Sequence, residues 1–167
     1  MTPTPLSRAF VVLRGLVYSA AFVGLWAWLA VSVRPLDSRI PLRLAPWLAP
    51  FGIALAVAGG LVAALCIAAF LTSGRGTPAP FDPPRQFVAT GPYRYVRNPM
   101  YIGGGSVLLG AGLAVPSVSI VGLSLVYFVI AHLFVVLYEE PTLTRTFGDS
   151  YARYRSTVHR WLPRRAR

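Results

Sequence analysis

Apolar residues run along this chain in long unbroken stretches instead of the short alternations of a water-facing domain. Leu16 to Val33 is uncharged, with Arg14 near its start and Arg34 after its end, and it just reaches spanning length. A cleaved leader is the competing reading. The length of the run and the lack of a small-x-small site before Arg34 favour a span. A second span is predicted from about Pro50 to Leu71. Within it Gly52, Ala56, Gly60, Ala64 and Ala68 recur at every fourth position, which predicts a smooth face for close helix packing. The Gly59-Gly60 pair lacks the strand and turn of a nucleotide-binding loop.

Thr72 to Asn98 holds five prolines and three glycines, so it reads as an irregular loop, ordered in its aromatic last third. A third span follows from Met100 to Val115 and a fourth from about Ser117 to Tyr138. Only "AVPS" joins them, which dictates a tight antiparallel hairpin. Arg97 to Gly105 should therefore lie beside Tyr138, Glu139 and Glu140. After Pro141, Leu143, Phe147, Tyr151, Tyr154, Val158, Trp161 and Leu162 recur mostly at steps of three and four. Arg145, Asp149, Arg153 and Arg160 fall largely elsewhere on the wheel. That segment is too polar to span, and predicts an amphipathic C-terminal helix in the interface or folded over the bundle end. The last five residues read equally well as a solvated basic tail. The expected fold is an all-α integral membrane protein with four transmembrane helices and this added helix. Residues 1–71 supply two spans, and 72–167 the functional region.

Composition fits that pattern: 55% of residues are hydrophobic, 13% are charged, and the mean hydropathy is +0.59. All 16 basic residues are arginine, and five acids leave a net charge of +11. A basic chain can bind nucleic acid, but these arginines flank apolar runs and form no single face. Anionic lipid headgroups are the expected counter-charge, and no nucleic acid is expected. Two arginines precede the first span, four lie in the long loop and seven follow the fourth, against three on the opposite side. The positive-inside rule then sets both termini and the polar motifs in the cytoplasm, in a membrane expected to be the bacterial inner one. Cys66 is the only cysteine, sits in an apolar run and has no base nearby in sequence.

The candidate chemistry gathers at one membrane level. Asn98 and Pro99 suit a helix start, by capping and by the first helical position. That leaves Tyr93, Arg94, Tyr95, Arg97 and Tyr101, which serve either as interfacial anchors or as ligand-binding groups. Gly103, Gly104 and Gly105 would leave bare backbone for a ligand. Helix packing through Ser106, Gly110 and Ala114 is the rival use. Glu139 and Glu140 close the fourth span, where the helix dipole disfavours anions. They either neutralise Arg94, Arg97 and Arg145 or bind a ligand. Adjacent helical positions diverge by about 100°, so the two should serve separate partners. His132 lies within the fourth span and is best suited to an interhelical hydrogen bond. His159 has no evident task, and no metal site is expected. Arginines, a helix start, aromatic rings and carboxylates together match S-adenosylmethionine: its carboxylate, its ammonium and ribose, its adenine and its sulfonium.

"GPYRYVRNPMYIG", the hairpin, and "LYEEPTLTRTFGDSYARYRSTVHRWLP" together resemble the membrane-embedded methyltransferases, the superfamily of isoprenylcysteine carboxyl methyltransferases and phospholipid N-methyltransferases. The resemblance covers Gly91 to Pro163. It implies an S-adenosylmethionine pocket walled by spans three and four and the tail. Its cofactor residues would be Tyr93, Arg97, Asn98, Pro99, Tyr101, Gly103, Gly105, Glu139 and Glu140. Glu139 and Arg145 would act at the reacting end. The isoprenylcysteine branch usually has histidine where this chain has Asn98, and "NPMY" with "LYEEP" is closer to the phospholipid branch. The implied acceptor is lipophilic and arrives from the bilayer, an amine phospholipid ahead of a prenylcysteine-type carboxylate or a thiol. Two other classes stay open on sequence: a non-catalytic transporter or scaffold, and an NADPH-dependent reductase related to sterol reductases.

Overall fold

The computed structural model describes residues 5–70, 72 and 88–163, and among them there is no strand. Helix α1 runs Pro5–Val33, α2 Ala49–Ala69, α3 Pro99–Ala114, α4 Val118–Phe134 and α5 Glu140–Thr157. Short 3-10 turns at Arg34–Arg39, Pro46–Leu48 and Gly91–Arg94 lead between them, and a π-turn, Val135–Glu139, joins α4 to α5. Most of the expected irregular loop, 73–87, and the basic end 164–167 lie outside the described residues. Among the described residues, three helical stretches are long and apolar enough to cross a membrane: Leu13–Arg39, Pro46–Ala69 and Val118–Thr157. The last owes its apolar character to its first half. Helix α3 is apolar too, but its 16 residues rise only about 24 Å, against roughly 30 Å of hydrocarbon.

Helices α2 and α3 pack backbone against backbone. A Cβ built on Gly52 would stand 2.6 Å from the Gly110 carbonyl oxygen, and one on Gly59 would stand 2.6 Å from that of Gly103. The order of these pairs makes the two helices antiparallel. Without a hydrophobic drive between helices in lipid, such backbone contact is what holds them together. The seam is Gly52, Ala56, Gly59 and Ala63, which corrects the expected ridge at every fourth residue. Each step of four overshoots a helical turn by about 40°, so Gly60 has already rotated off the face. No atom lies within 4 Å of a Cβ at Gly60, and Ala64 and Ala68 are exposed. Steps of four and three keep the seam in register.

Helices α3 and α4 form the hairpin that "AVPS" dictates. The Ser117 hydroxyl caps α4 by accepting the Ile120 N–H at 3.3 Å. Gly112 packs on Val121, Gly105 on the Phe128 ring and Gly104 on the Tyr127 hydroxyl. Helix α1 leans on α4 through Trp26 and Tyr127, whose rings lie 4.8 Å apart. Beyond its end, the Asp37 carboxylate accepts the backbone N–H of Ser119 at 2.8 Å and its hydroxyl at 2.5 Å. That pins α1 to the start of α4.

The helical run that begins with α4 does not stop at Tyr138. Pro141 has no N–H to give, and the chain meets this by widening to a π-turn, in which the Glu140 N–H reaches back five residues to the Val135 carbonyl. Helix α5 then breaks at Gly148, whose φ of 48° and ψ of −123° suit only glycine. The break is what turns the tail back. Arg160 lies twenty residues after Glu140, about 30 Å along a straight helix, yet their side chains meet at 2.7 Å.

Two substitutions test this frame. Gly59→Leu should force α2 from α3 and cost about 2–3 kcal/mol, read as a fall in thermal midpoint, while Gly60→Leu should leave the midpoint nearly unchanged. Gly148→Val should cost roughly 2 kcal/mol and speed amide exchange in 149–163 while sparing α3 and α4. Equal exchange in the tails of the variant and the parent would show that the reversal does not depend on Gly148.

Candidate active site

The site is built where the start of α3 meets the π-turn and the returning tail. Gly91, with φ of 58°, and the following 3-10 turn bring the chain up to Pro99, the first residue of α3. The tail docks on this approach through main-chain groups. The Arg97 N–H donates to the His159 carbonyl at 2.9 Å, and the Tyr154 hydroxyl donates to the Tyr93 carbonyl at 2.6 Å. Asn98 was expected to cap α3 with its side chain. It is buried, and its carboxamide instead donates to the Arg160 carbonyl at 3.1 Å. That bond satisfies a carbonyl which Ala at this position would leave unmet.

The two adjacent glutamates serve different partners. Glu139 accepts the Tyr101 hydroxyl at 2.9 Å, across the α3–α4 hairpin. Glu140 turns toward the tail. Arg160 grips it with two donors, Nε at 2.7 Å and Nη2 at 3.0 Å, and Arg97 Nη1 lies 3.2 Å from the same carboxylate. This forked geometry is the strong form of the arginine–carboxylate pair. The hydrogen bonds to Glu140 push the Arg160 guanidinium above its usual range. Two guanidinium groups thus share the one Glu140 carboxylate. The Arg97 side chain is only 10% exposed, and its Nε is buried without a hydrogen-bond partner among the described residues. A buried orphan donor on a cation calls for an acceptor that none of those residues supplies.

Other expected site residues are placed differently. Tyr93 is buried against Cys66, Ala69 and Phe70 on the α2 side, so its ring serves as core and its carbonyl as a dock for the tail. Gly103 and Gly105 do not offer bare backbone to a ligand: the α2 backbone and the Phe128 ring fill that space. Helix packing, the rival reading, accounts for both. Arg145 is exposed and bonds within its own helix to Thr142 at 3.3 Å, apart from the carboxylates. His132 accepts the Trp161 indole N–H at 3.1 Å, tying α4 to the tail. An open groove of about 600 Å³ is lined by Leu65 and Ala68 of α2, by Thr72 beyond it, and by Thr90, Arg94 and Tyr95; none of the clustered carboxylates or their arginines lines it. Among the described residues, no three His, Cys, Asp or Glu side chains cluster as metal ligands would.

Reading the sequence alone missed Arg160, Gly148 and the docking role of His159. A signal for Arg160 existed. A carboxylate drawn into the bundle end needs cations, and the tail's amphipathic strip places Arg160 between the apolar Val158 and Trp161.

Comparison with known proteins adds one finding. A family model described as phospholipid methyltransferase matches residues 47–150, from the start of α2 through the Gly148 break. No curated protein and no solved structure gives a significant match. The matched stretch is well over half the chain and includes α2, the α3–α4 hairpin, Tyr101, Arg97 and both glutamates. This protein, with its membrane-length apolar helices, belongs to the phospholipid methyltransferase family.

Proposed function

We propose that the chain is an integral membrane enzyme that uses S-adenosylmethionine to methylate a lipophilic acceptor, with an amine-bearing phospholipid favoured over a prenylcysteine-type carboxylate or a thiol. One observation carries the reading. The Arg97 and Tyr101 motif and the Glu139-Glu140 motif, some forty residues apart, meet in one cluster, in which the buried Arg97 Nε has no hydrogen-bond partner among the described residues. In this reading α3 is a short fourth span and the polar α5 lies at the interface. The arginine-rich side, with the site, faces the cytoplasm of a bacterial inner membrane.

The residues present suit the cofactor. Its carboxylate matches the free Arg97 donor and the unpaired backbone N–H groups at the start of α3, where Pro99 sits. Bound there, S-adenosylmethionine supplies an electrophilic methyl group on a sulfonium centre. Glu140 holds Arg97 and Arg160 in place, and Asn98 anchors the tail that closes over them. Gly103 and Gly105 let α3 seat deeply enough to fix its first turn. Tyr101 orients the Glu139 carboxylate. An ammonium acceptor must lose a proton before its nitrogen can attack, and Glu139 is the base beside the site. The helices exclude water and set the line of approach. Exposed Arg94 and Arg145 meet anionic headgroups.

The test is transfer of label from methyl-labelled S-adenosylmethionine to a lipid extract by the purified protein. The label should enter the lipid fraction. Glu139→Gln should lower kcat by about 100-fold with cofactor affinity changed less than about twofold. A lipid fraction that stays unlabelled, with amine phospholipids present, would overturn the proposal.

A further inference from the structure

The open groove of about 600 Å³ stands apart from the carboxylate cluster, between the end of α2 and the turn Gly91–Arg94. Its volume is within the roughly 300–1,000 Å³ usual for small-molecule sites. The two walls differ in chemistry. Leu65, Ala68 and Thr72 follow at steps of three and four, so they share one line down the helical run. Leu65 and Ala68 are exposed, and they belong to a helix of membrane length, so this wall meets acyl chains. At its upper end the Thr72 hydroxyl donates to the Ala68 carbonyl at 2.8 Å, which uses its proton within its own segment.

The facing wall is polar. Arg94 and Tyr95 line it, both are exposed, and neither side chain makes a hydrogen bond or ion pair with a described residue. Their backbone is nevertheless fixed. Tyr93, next to them, is buried against Cys66 and Ala69 of α2, and its N–H donates to the Thr90 carbonyl at 3.2 Å. The Tyr95 N–H donates to the Pro92 carbonyl at 3.1 Å. The turn therefore holds a cation and a phenol donor over an apolar wall at the end of a span, the level of lipid headgroups. Charge decides which headgroup fits. Among the described residues no Asp or Glu lines the groove, so an ammonium headgroup would meet Arg94 with no carboxylate to balance it. A phosphodiester bearing a neutral glycerol sets one negative charge against one guanidinium.

We infer that this groove holds an anionic phospholipid, with its phosphate on the Arg94 guanidinium and the Tyr95 hydroxyl and an acyl chain along Leu65 and Ala68. The occupant is a bound membrane lipid and not the methyl acceptor, because Glu139 does not line the groove. The inference needs the protein to lie in a membrane, and it does not depend on methyl transfer.

Native mass spectrometry of the purified full chain tests it, with dioleoyl phosphatidylglycerol and dioleoyl phosphatidylethanolamine as probes. The parent protein should bind the phosphatidylglycerol about fivefold more tightly. Arg94→Gln should weaken that binding about tenfold and remove the preference, and Tyr95→Phe should weaken it about threefold. Leu65→Trp, which fills the apolar wall and leaves Arg94 in place, should also weaken it. Arg153→Gln removes an equally exposed arginine on α5 and should bind as the parent does. Arg94 and Tyr95 support no other side chain, so both variants should keep the parent's thermal midpoint. Equal binding of the two lipids by the parent, or equal losses in Arg94→Gln and Arg153→Gln, would overturn the site and leave only a general attraction of basic residues to anionic lipid. Absence of methyl transfer alongside the expected losses would dismiss the enzyme reading and leave the groove standing.

Discussion

One buried carboxylate ties the functional half of this protein together. Glu140 is gripped by Arg160 of the tail and approached by Arg97 at the mouth of α3. Removing one partner of such a pair leaves an uncompensated charge and typically costs about 3–5 kcal/mol. The cluster therefore fixes where three separate segments can lie. Main-chain bonds from Arg97 to His159 and from Tyr154 to Tyr93 add direction to what the charges supply in strength. Two arginines on one glutamate thus hold the tail against the mouth of α3.

The helices beneath supply rigidity by another route. Glycine backbone packed so closely on backbone carbonyls along α2 and α3 that a Cβ would not fit leaves no slack for the short α3 to tilt or slide. Its first turn, with Arg97 before it and Tyr101 within it, inherits that precision. The π-turn does similar work on the other wall. Its wider turn, placed just ahead of Pro141, lets Glu139 face the hairpin and Glu140 face the tail.

Much of this was written in hydropathy. The apolar runs locate α1, α2 and α4 because a span needs length and lack of charge, and both are visible residue by residue. "AVPS" is too short for anything but a hairpin, which put Arg97 and the glutamates at the same end. What sequence could not supply were angles that accumulate. The ridge at every fourth residue drifts off the helix face, so Gly59 and Ala63, not Gly60 and Ala64, carry the seam. Gly103 and Gly105 looked like bare backbone because their neighbours, Ala63 and Phe128, come from other helices. Arg160 looked like one more tail arginine because the reversal at Gly148 is a single backbone torsion in a stretch that otherwise reads as helix. The family match to 47–150 stops before Arg160, so the tail's contribution comes from geometry alone.

The central claim is that Arg97 and its carboxylate partner form a seat for the methyl donor. Calorimetric titration of the purified protein with S-adenosylhomocysteine, beside NADPH, tests it most directly. The account predicts a 1:1 isotherm for the first, none for NADPH, and loss of binding by at least about tenfold in Arg97→Ala. No heat with S-adenosylhomocysteine, or a full-strength isotherm in Arg97→Ala, would contradict it.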